Sequence, residues 1–206
     1  INDMGLDDKL YKPNVVHNRI SSAKNALVGP SEYAMDNFLK QEDARANRPQ
    51  IAEIYASYVA RCFKSGAMDF DDLILKTVEV LQRFPEAKAR FRSRFRHVLV
   101  DEYQDTNHAQ YILVKELVGS DLEGQPPAEL CVVGDADQSI YGFRGATIRN
   151  ILQFELDYPN ARTVLLEQNY RSTSRILGAA NQLIAHNPKL FEKKLWSTHG
   201  QGEAIH

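Results

Sequence analysis

Three short apolar runs, separated by helical patterns, constrain the fold of this chain more than any other feature. The runs are residues 98–100, 130–133 and 164–166, and each ends in polar residues: Asp101-Glu102, Gly134-Asp135 and Glu167-Gln168-Asn169. Continuous apolar runs of this kind are typical of strands that are buried on both faces of a parallel sheet. Helical patterns over residues 107–118, 147–156 and 172–185 alternate with them, so the sequence predicts an α/β fold.

The first third of the chain predicts helices only. Apolar residues recur at helical spacing over residues 13–27 and again over residues 51–63. Asp69 is suited to cap a further helix, and Pro85 to open a short one. A helical region, residues 1–66, is therefore expected to precede the α/β region.

Composition excludes several classes of protein. The chain has 206 residues, with 25 Lys and Arg against 27 Asp and Glu, so it is not a histone-like, strongly basic protein. A near-neutral total still allows a local patch that binds nucleic acid, although the basic cluster at residues 83–96 is interpreted mainly as a solvated helix face. Cys62 and Cys131 are far apart, which predicts no zinc site or disulfide framework and favours a reducing, cytoplasmic compartment. No apolar run approaches the ~18 residues of a membrane span, so no membrane association is expected.

Asp101 and Glu102, at the end of the first run, are the first candidates for chemistry. Ligands of open α/β sheets bind at the carboxyl ends of the strands. An acid at such a strand end can hold Mg²⁺ beside nucleotide phosphates, and a second acid can deprotonate an attacking water. The alternative interpretation is an acidic loop that faces solvent.

Two further segments carry residues suited to phosphates and bases. In residues 134–146, a loop could use Gln138 to sense a phosphate while its aromatic residues stack on bases, or it could be a long loop with two core aromatics. In residues 168–173, Ser172 is predicted to cap the following helix, and Arg171 lies beside a helix N-terminus suited to an anion. The alternative for Arg171 is a surface ion pair.

Together these segments resemble one protein family. Residues 98–107, with the sequence VLVDEYQDTN, resemble the Walker B segment of UvrD-like superfamily 1 DNA helicases. Residues 134–146 resemble the next motif of that family, residues 168–173 the one after, and residues 68–73 the stretch just upstream. Order and spacing agree, so essentially the whole chain is similar to the middle of such a helicase.

The resemblance implies a nucleotide site that uses ATP and Mg²⁺. Asp101 is implied to bind the Mg²⁺ of MgATP, and Glu102 to be the general base for the hydrolytic water. Gln138 is implied to contact the γ-phosphate region and couple it to DNA. Arg171 is implied to reach the γ-phosphate as an arginine finger, and Tyr170 to stack on the adenine.

The resemblance also implies a DNA channel and an activity. Tyr141, Phe143 and Arg144 are implied to lie in the channel for single-stranded DNA, with Phe143 stacking on a base. The implied function is that of an ATP-dependent 3′–5′ DNA helicase or translocase in DNA repair or replication. Its implied partners are single-stranded DNA, duplex junctions and repair proteins.

The same resemblance implies the domain organisation. It predicts part of a RecA-like parallel sheet with flanking helices, plus an inserted all-helical subdomain. Residues 1–66 would be the inserted helical subdomain, and residues 67–166 the remainder of the first RecA-like motor domain. Residues 167–206 would be the start of the second motor domain.

One motif of the family is missing from this sequence. ATP hydrolysis needs a Walker A loop, G-x-x-x-x-G-K-[ST], to cradle the phosphates, and none of the 11 glycines here is followed by Lys. We therefore expect an internal fragment of a helicase that is inactive alone. One alternative is a non-catalytic, helicase-like module that binds DNA or a protein. Another is a metal nuclease that uses Asp101, Glu102 and Asp105, which would leave Gln138 and Arg171 unexplained.

Overall fold

The computed structural model of the protein describes residues 1–120, 126–142, 145–187 and 192–205. It divides into two compact units, residues 1–135 with 139–151, and residues 136–138 with 152–206. The described helices are α1 (Pro13–Asn25), α2 (Pro30–Met35), α3 (Asn37–Arg45), α4 (Ile51–Lys64), α5 (Phe70–Arg83), α6 (Pro85–Arg92), α7 (His108–Val118), α8 (Arg149–Asp157) and α9 (Ser174–Ile184). The described strands are β1 (His97–Val100) and β2 (Glu129–Val132). In these parts of the chain, no helix has the length and apolar character needed to cross a membrane.

Helices α1, α2 and α4 form the main apolar core of the first unit. The buried residues of this core are Tyr11, Val16, Ile20, Ala23, Tyr33, Ile51, Ile54 and Tyr55. Tyr33 and Tyr55 meet edge to face, with their ring centroids 5.8 Å apart and their planes at 85°, an arrangement that the ring quadrupoles favour. The helices predicted over residues 13–27 and 51–63 are confirmed, because their apolar faces supply most of this core.

A buried cation joins α1 to the start of α5. The Lys24 side chain is 0% exposed, and its Nζ lies 2.7 Å from Oδ2 of Asp69 and 2.8 Å from Oδ1 of Asp72. Asp69 is the N-cap of α5, as predicted, and accepts a hydrogen bond of 2.9 Å from the Asp72 backbone N–H. The Tyr58 hydroxyl donates to the same carboxylate at 2.9 Å. The Asp69 carboxylate therefore caps α5 and, together with that of Asp72, neutralises the cation of α1.

This arrangement predicts an acid-sensitive contribution to stability. Burial alone would raise the pKa of Asp69, but hydrogen bonds from Lys24, Asp72 and Tyr58 outweigh it and hold that pKa below its ordinary value. The Asp69 contribution is therefore present above the unfolded-state pKa of about 3.9 and is lost as the pH falls through the folded-state value. Urea unfolding of the wild type and of Asp69→Asn, which retains a capping oxygen, should show a stability gap at pH 7 that narrows below about pH 4. A gap that stays constant with pH would contradict this assignment.

The sheet consists of two parallel strands in the described residues. β1 and β2 pair in register from His97 with Glu129 to Val100 with Val132. α7 lies between them in sequence, as expected for a parallel crossover. The strands predicted at residues 98–100 and 130–133 are therefore confirmed to within a residue, and the mixture of helices with a parallel sheet agrees with the α/β class.

Burial of the sheet on both faces, however, is a wrong prediction. Leu99 is 75% exposed, and its register partner Cys131 is exposed on the same face. Side chains alternate along a strand, and in the described residues no helix covers the face to which Leu99 and Cys131 point. The first two apolar runs predict the strands correctly, but they predict more burial of these strands than the structure shows.

The third apolar run does not form the predicted strand. Val164, Leu165 and Leu166 are 61%, 48% and 77% exposed, and no strand is assigned to them. Pairing begins only after the run, where Gln168 forms an isolated parallel bridge with Trp196. A strand needs a hydrogen-bonded neighbour, and the described residues supply none for residues 164–166.

The basic cluster at residues 83–96 is only partly a solvated face. Nζ of Lys88 lies 2.8 Å from a carboxylate oxygen of Glu116 on α7, and Nε of Arg92 donates to the Glu116 carbonyl oxygen at 2.7 Å. Burial would raise the pKa of Glu116, but the hydrogen bonds of Lys88 and Gln82 and the nearby Arg92 hold it below its ordinary value. These two cations join α6 to α7, so the solvated interpretation is wrong for them.

Candidate functional site

Asp101 and Glu102 lie where β1 ends, at the sheet edge to which the sequence assigns them, and both are exposed. The Glu102 backbone has φ 48° and ψ 44°, in the left-handed region that residues other than glycine rarely occupy. Its N–H group donates to Oδ1 of Asp101 at 3.0 Å. This sharp turn presents both carboxylates to solvent at the carboxyl end of the strand.

A buried amide, Gln104, joins this turn to the end of β2. Gln104 is 1% exposed. Its Nε2 donates to Oε2 of Glu102 at 2.7 Å, and its Oε1 accepts from the Asp135 N–H at 2.9 Å. A side-chain amide can do both because it carries a donor and an acceptor. The position of the Glu102 carboxylate is therefore tied to the backbone of residues 134–135.

The two strand ends approach closely at Gly134. The Tyr103 N–H donates to the Val133 carbonyl oxygen at 2.9 Å. A Cβ atom on Gly134 would lie 2.7 Å from Oε1 of Gln104 and 3.3 Å from the backbone nitrogens of Tyr103 and Gln104. Position 134 therefore favours glycine, because a side chain would crowd the buried amide and the backbone beside it.

Buried polar contacts also hold the segment that follows the two acids. Asn150 is 4% exposed, and its Nδ2 donates to the carbonyl oxygen of Thr106 at 2.9 Å and to its Oγ1 at 3.1 Å. Asn107 caps α7, and its Nδ2 donates to Oδ1 of Asn25 at 2.8 Å. The turn is therefore held both to α1 and to the first residues of α8.

The acids of this turn are hard oxygen donors, which Mg²⁺ prefers. Magnesium beside a nucleotide is held by one or two carboxylates and otherwise by phosphate and water oxygens. The exposed carboxylate of Asp101 fits that role. Asp105 differs, because its Oδ1 is buried without a hydrogen-bond partner among the described residues. The described residues contain no cluster of three or more His, Cys, Asp or Glu that could hold a metal by itself.

The predicted phosphate sensor and DNA contacts follow β2. Gln138 ends the short helical turn Ala136–Gln138 in the second unit, and it is exposed. Asp137 of the same turn forms an ion pair of 3.0 Å with Lys193. Tyr141, in the first unit, is 37% exposed. Phe143 and Arg144 lie outside the described residues, so their predicted contacts stay predictions.

Tyr170 and Arg171 lie together in the second unit, in the turn before α9. Tyr170 is 74% exposed, and its hydroxyl donates to Oε1 of Gln168 at 2.9 Å. Oδ1 of Asn169 accepts from the backbone N–H groups of Arg171 at 2.9 Å and Ser172 at 2.8 Å. The Asn169 side chain shapes this turn and leaves Arg171 exposed near the helix N-terminus.

The prediction that Ser172 caps α9 is wrong. The N-cap is Thr173, and its side chain makes no capping hydrogen bond. The reason lies in the preceding turn, where the Asn169 carboxamide binds the Ser172 N–H and shifts the start of the helix to Ser174.

The chain is similar to a known protein family and to several curated proteins. The model of the UvrD/REP helicase N-terminal domain matches residues 1–159. The ATP-dependent DNA helicase UvrD1 of Mycobacterium tuberculosis H37Rv is 58% identical over 204 residues, which are 98% of this chain and 26% of that protein. The ATP-dependent DNA helicase PcrA of Leuconostoc citreum is 49% identical over 205 residues, and that of Bacillus subtilis 45% over 206, each covering 100% of this chain and 26% of the relative.

The chain thus spans about a quarter of the length of these curated relatives, 26% in each case. The family match covers both the helical core and the turn that carries Asp101 and Glu102. This chain belongs to the UvrD/REP helicase family.

Proposed function

We propose that this chain supplies part of the motor of an ATP-dependent 3′–5′ DNA helicase that acts in DNA repair or replication. The observation that carries the proposal is the turn after β1, where Asp101 and Glu102 reach solvent beside the end of β2. The names of the relatives support ATP as the nucleotide and DNA as the substrate. Single-stranded DNA, duplex junctions and repair proteins are the proposed partners.

The proposed architecture is RecA-like, with residues 1–66 as an inserted helical subdomain. Residues 67–166 would continue the first motor domain and residues 167–206 begin the second. The parallel pairing of β1 with β2 supports a RecA-like sheet, and the all-helical run from α1 to α4 supports the insertion.

Within the proposed site, each acid has a separate task. Asp101 would hold Mg²⁺, which when bound neutralises phosphate charge during hydrolysis. Glu102 would accept the proton of the attacking water through the carboxylate oxygen that Gln104 leaves open. The exposure of Glu102 supports this role, because its carboxylate can be reached from outside the sheet.

The remaining proposed roles follow the family resemblance. Gln138 would contact the γ-phosphate region, Arg171 would stabilise the developing phosphate charge, and Tyr170 would stack on adenine. Tyr141, Phe143 and Arg144 would contact single-stranded DNA. The exposure of Gln138, Tyr170 and Arg171 supports their access to a ligand.

A chimera tests the proposal, with this chain in place of the matching segment of Mycobacterium tuberculosis UvrD1. We expect the chimera to hydrolyse ATP in a DNA-stimulated manner and to unwind duplexes with a 3′ tail but not a 5′ tail. The 206-residue chain alone should do neither, because it contains no Walker A sequence to cradle the phosphates. Phosphate release and strand separation are the measurements.

The control for the isolated chain is its own Glu102→Gln variant. Equal phosphate release from the two is expected, since neither should exceed background. Release from the isolated chain above its variant would contradict the expected inactivity, and a chimera without DNA-stimulated hydrolysis would contradict the helicase assignment.

A further inference from the structure

Gln104 is a buried residue that contacts the Glu102 carboxylate directly, and both ends of its amide are used. One end donates to the Glu102 carboxylate at 2.7 Å, and the other accepts from the Asp135 backbone at 2.9 Å. The side chain is 1% exposed, so neither hydrogen bond can be replaced freely by bulk water.

We propose that Gln104 is a positioning residue that couples the Glu102 carboxylate to the backbone that follows β2. The inference rests on the proposed function, because it gives Glu102 the role of general base. Gln104 does not touch the reacting atoms in this proposal. It acts by fixing one oxygen of Glu102 and leaving the other to face the attacking water.

The geometry makes this coupling direct. Asp135 follows β2 after Val133 and Gly134, so a displacement of this backbone reaches Gln104 through one hydrogen bond. When the Asp135 N–H shifts, the Oε1 atom of Gln104 that is hydrogen-bonded to it shifts as well. Because the amide group is rigid, its Nε2 atom then shifts the Glu102 carboxylate. Gly134 leaves little free space, since even a Cβ atom there would meet Oε1 at 2.7 Å.

The coupling explains why an amide occupies this position. A glutamate of the same shape could accept from Asp135 but could not donate to Glu102, and it would place two carboxylates together. A methionine would fill the volume and make neither hydrogen bond. Gln104→Glu therefore removes only the hydrogen-bond donor to Glu102, whereas Gln104→Met removes both hydrogen bonds.

A nuclear magnetic resonance experiment on the 206-residue chain tests the coupling itself. Glu102→Ala should shift the Asp135 amide resonance of the otherwise unsubstituted chain, and it should cause no such shift in the Gln104→Met background. The matched control background is Asn150→Ala, which removes another buried amide from the same region but does not touch Glu102 or Asp135. The shift should persist in that control. Equal shifts in the unsubstituted chain and in the Gln104→Met background would overturn the proposal.

Kinetics of the chimera test the consequence for catalysis. Both Gln104 variants should lower the kcat of DNA-stimulated ATP hydrolysis by about a hundred-fold, the cost of misplacing a catalytic group by about 1 Å. The KM for ATP should change far less, because Gln104 is not proposed to touch the nucleotide. Gln82→Met, which removes an amide that donates to Oε1 of Glu116 at 3.1 Å between α5 and α7, should keep kcat.

The outcomes separate the two proposals. If Gln104→Glu keeps the kcat of the unsubstituted chimera while Glu102→Gln abolishes it, the positioning role is wrong and the proposed function stands. If Glu102→Gln itself retains full turnover, the proposed function fails at its general base, and the amide shift then reports a structural link only.

Discussion

Glu102→Gln in the chimera with Mycobacterium tuberculosis UvrD1 is expected to lower DNA-stimulated ATP hydrolysis by about 10²–10⁴-fold. That range is the usual contribution of a general base, and the amide of Gln cannot accept the proton of the attacking water. The substitution keeps the size of the side chain and an oxygen that can accept from Gln104. ATP binding, measured by equilibrium titration with MgATP, should therefore persist.

The matched control for this prediction is Glu129→Gln. Glu129 belongs to the neighbouring strand β2, and its side chain is 83% exposed, with Oε2 3.0 Å from Nδ1 of His97. It lies at the opposite end of the strand pair from Glu102, because it pairs with the first residue of β1. Turnover of this control should match the unsubstituted chimera. A Glu102→Gln chimera as active as the control would refute the general-base role.

Lys24→Met should destabilise the isolated chain by about 3–5 kcal/mol, the usual cost of removing one partner from a buried ion pair. The substitution leaves Asp69 and Asp72 without their cation, and their side chains are only 19% and 7% exposed. Methionine roughly preserves the volume, so the loss reports charge more than packing. Urea unfolding followed by circular dichroism measures the change.

An exposed ion pair on α5 provides the comparison. Nζ of Lys76 lies 2.7 Å from Oε2 of Glu79, with the two side chains 48% and 36% exposed. Surface pairs of this kind contribute about 0–1 kcal/mol, so Lys76→Met should cost little. Equal losses for the two lysines would show that the Lys24 cluster contributes no more than a surface pair.

Much of the fold could be predicted from the sequence because its signals are local. Helical periodicity identified α1 and α4, and the capping carboxylate of Asp69 located the start of α5. The first two apolar runs became β1 and β2. The run at residues 164–166 failed because hydrophobicity identifies a segment that can pair, whereas a strand also requires a neighbour in space.

The candidate site was predictable only in part. Asp101 and Glu102 lie at the end of the predicted strand because strand direction alone fixes that location. Gln104 was missed, since its partner Asp135 is 31 residues away and no local pattern shows which polar residue will be buried. Asn150 was missed for the same reason, with its partner Thr106 44 residues away.

The left-handed backbone of Glu102 has a consequence for protein engineering. A residue with a Cβ atom pays roughly 1–2 kcal/mol for this conformation, and glycine does not. Variant libraries ranked only by melting temperature would therefore favour Gly at position 102 and discard the proposed general base. Directed evolution of this chain therefore needs a selection for turnover as well as one for heat resistance. Glycine at position 102 would rank high by heat resistance and low by turnover.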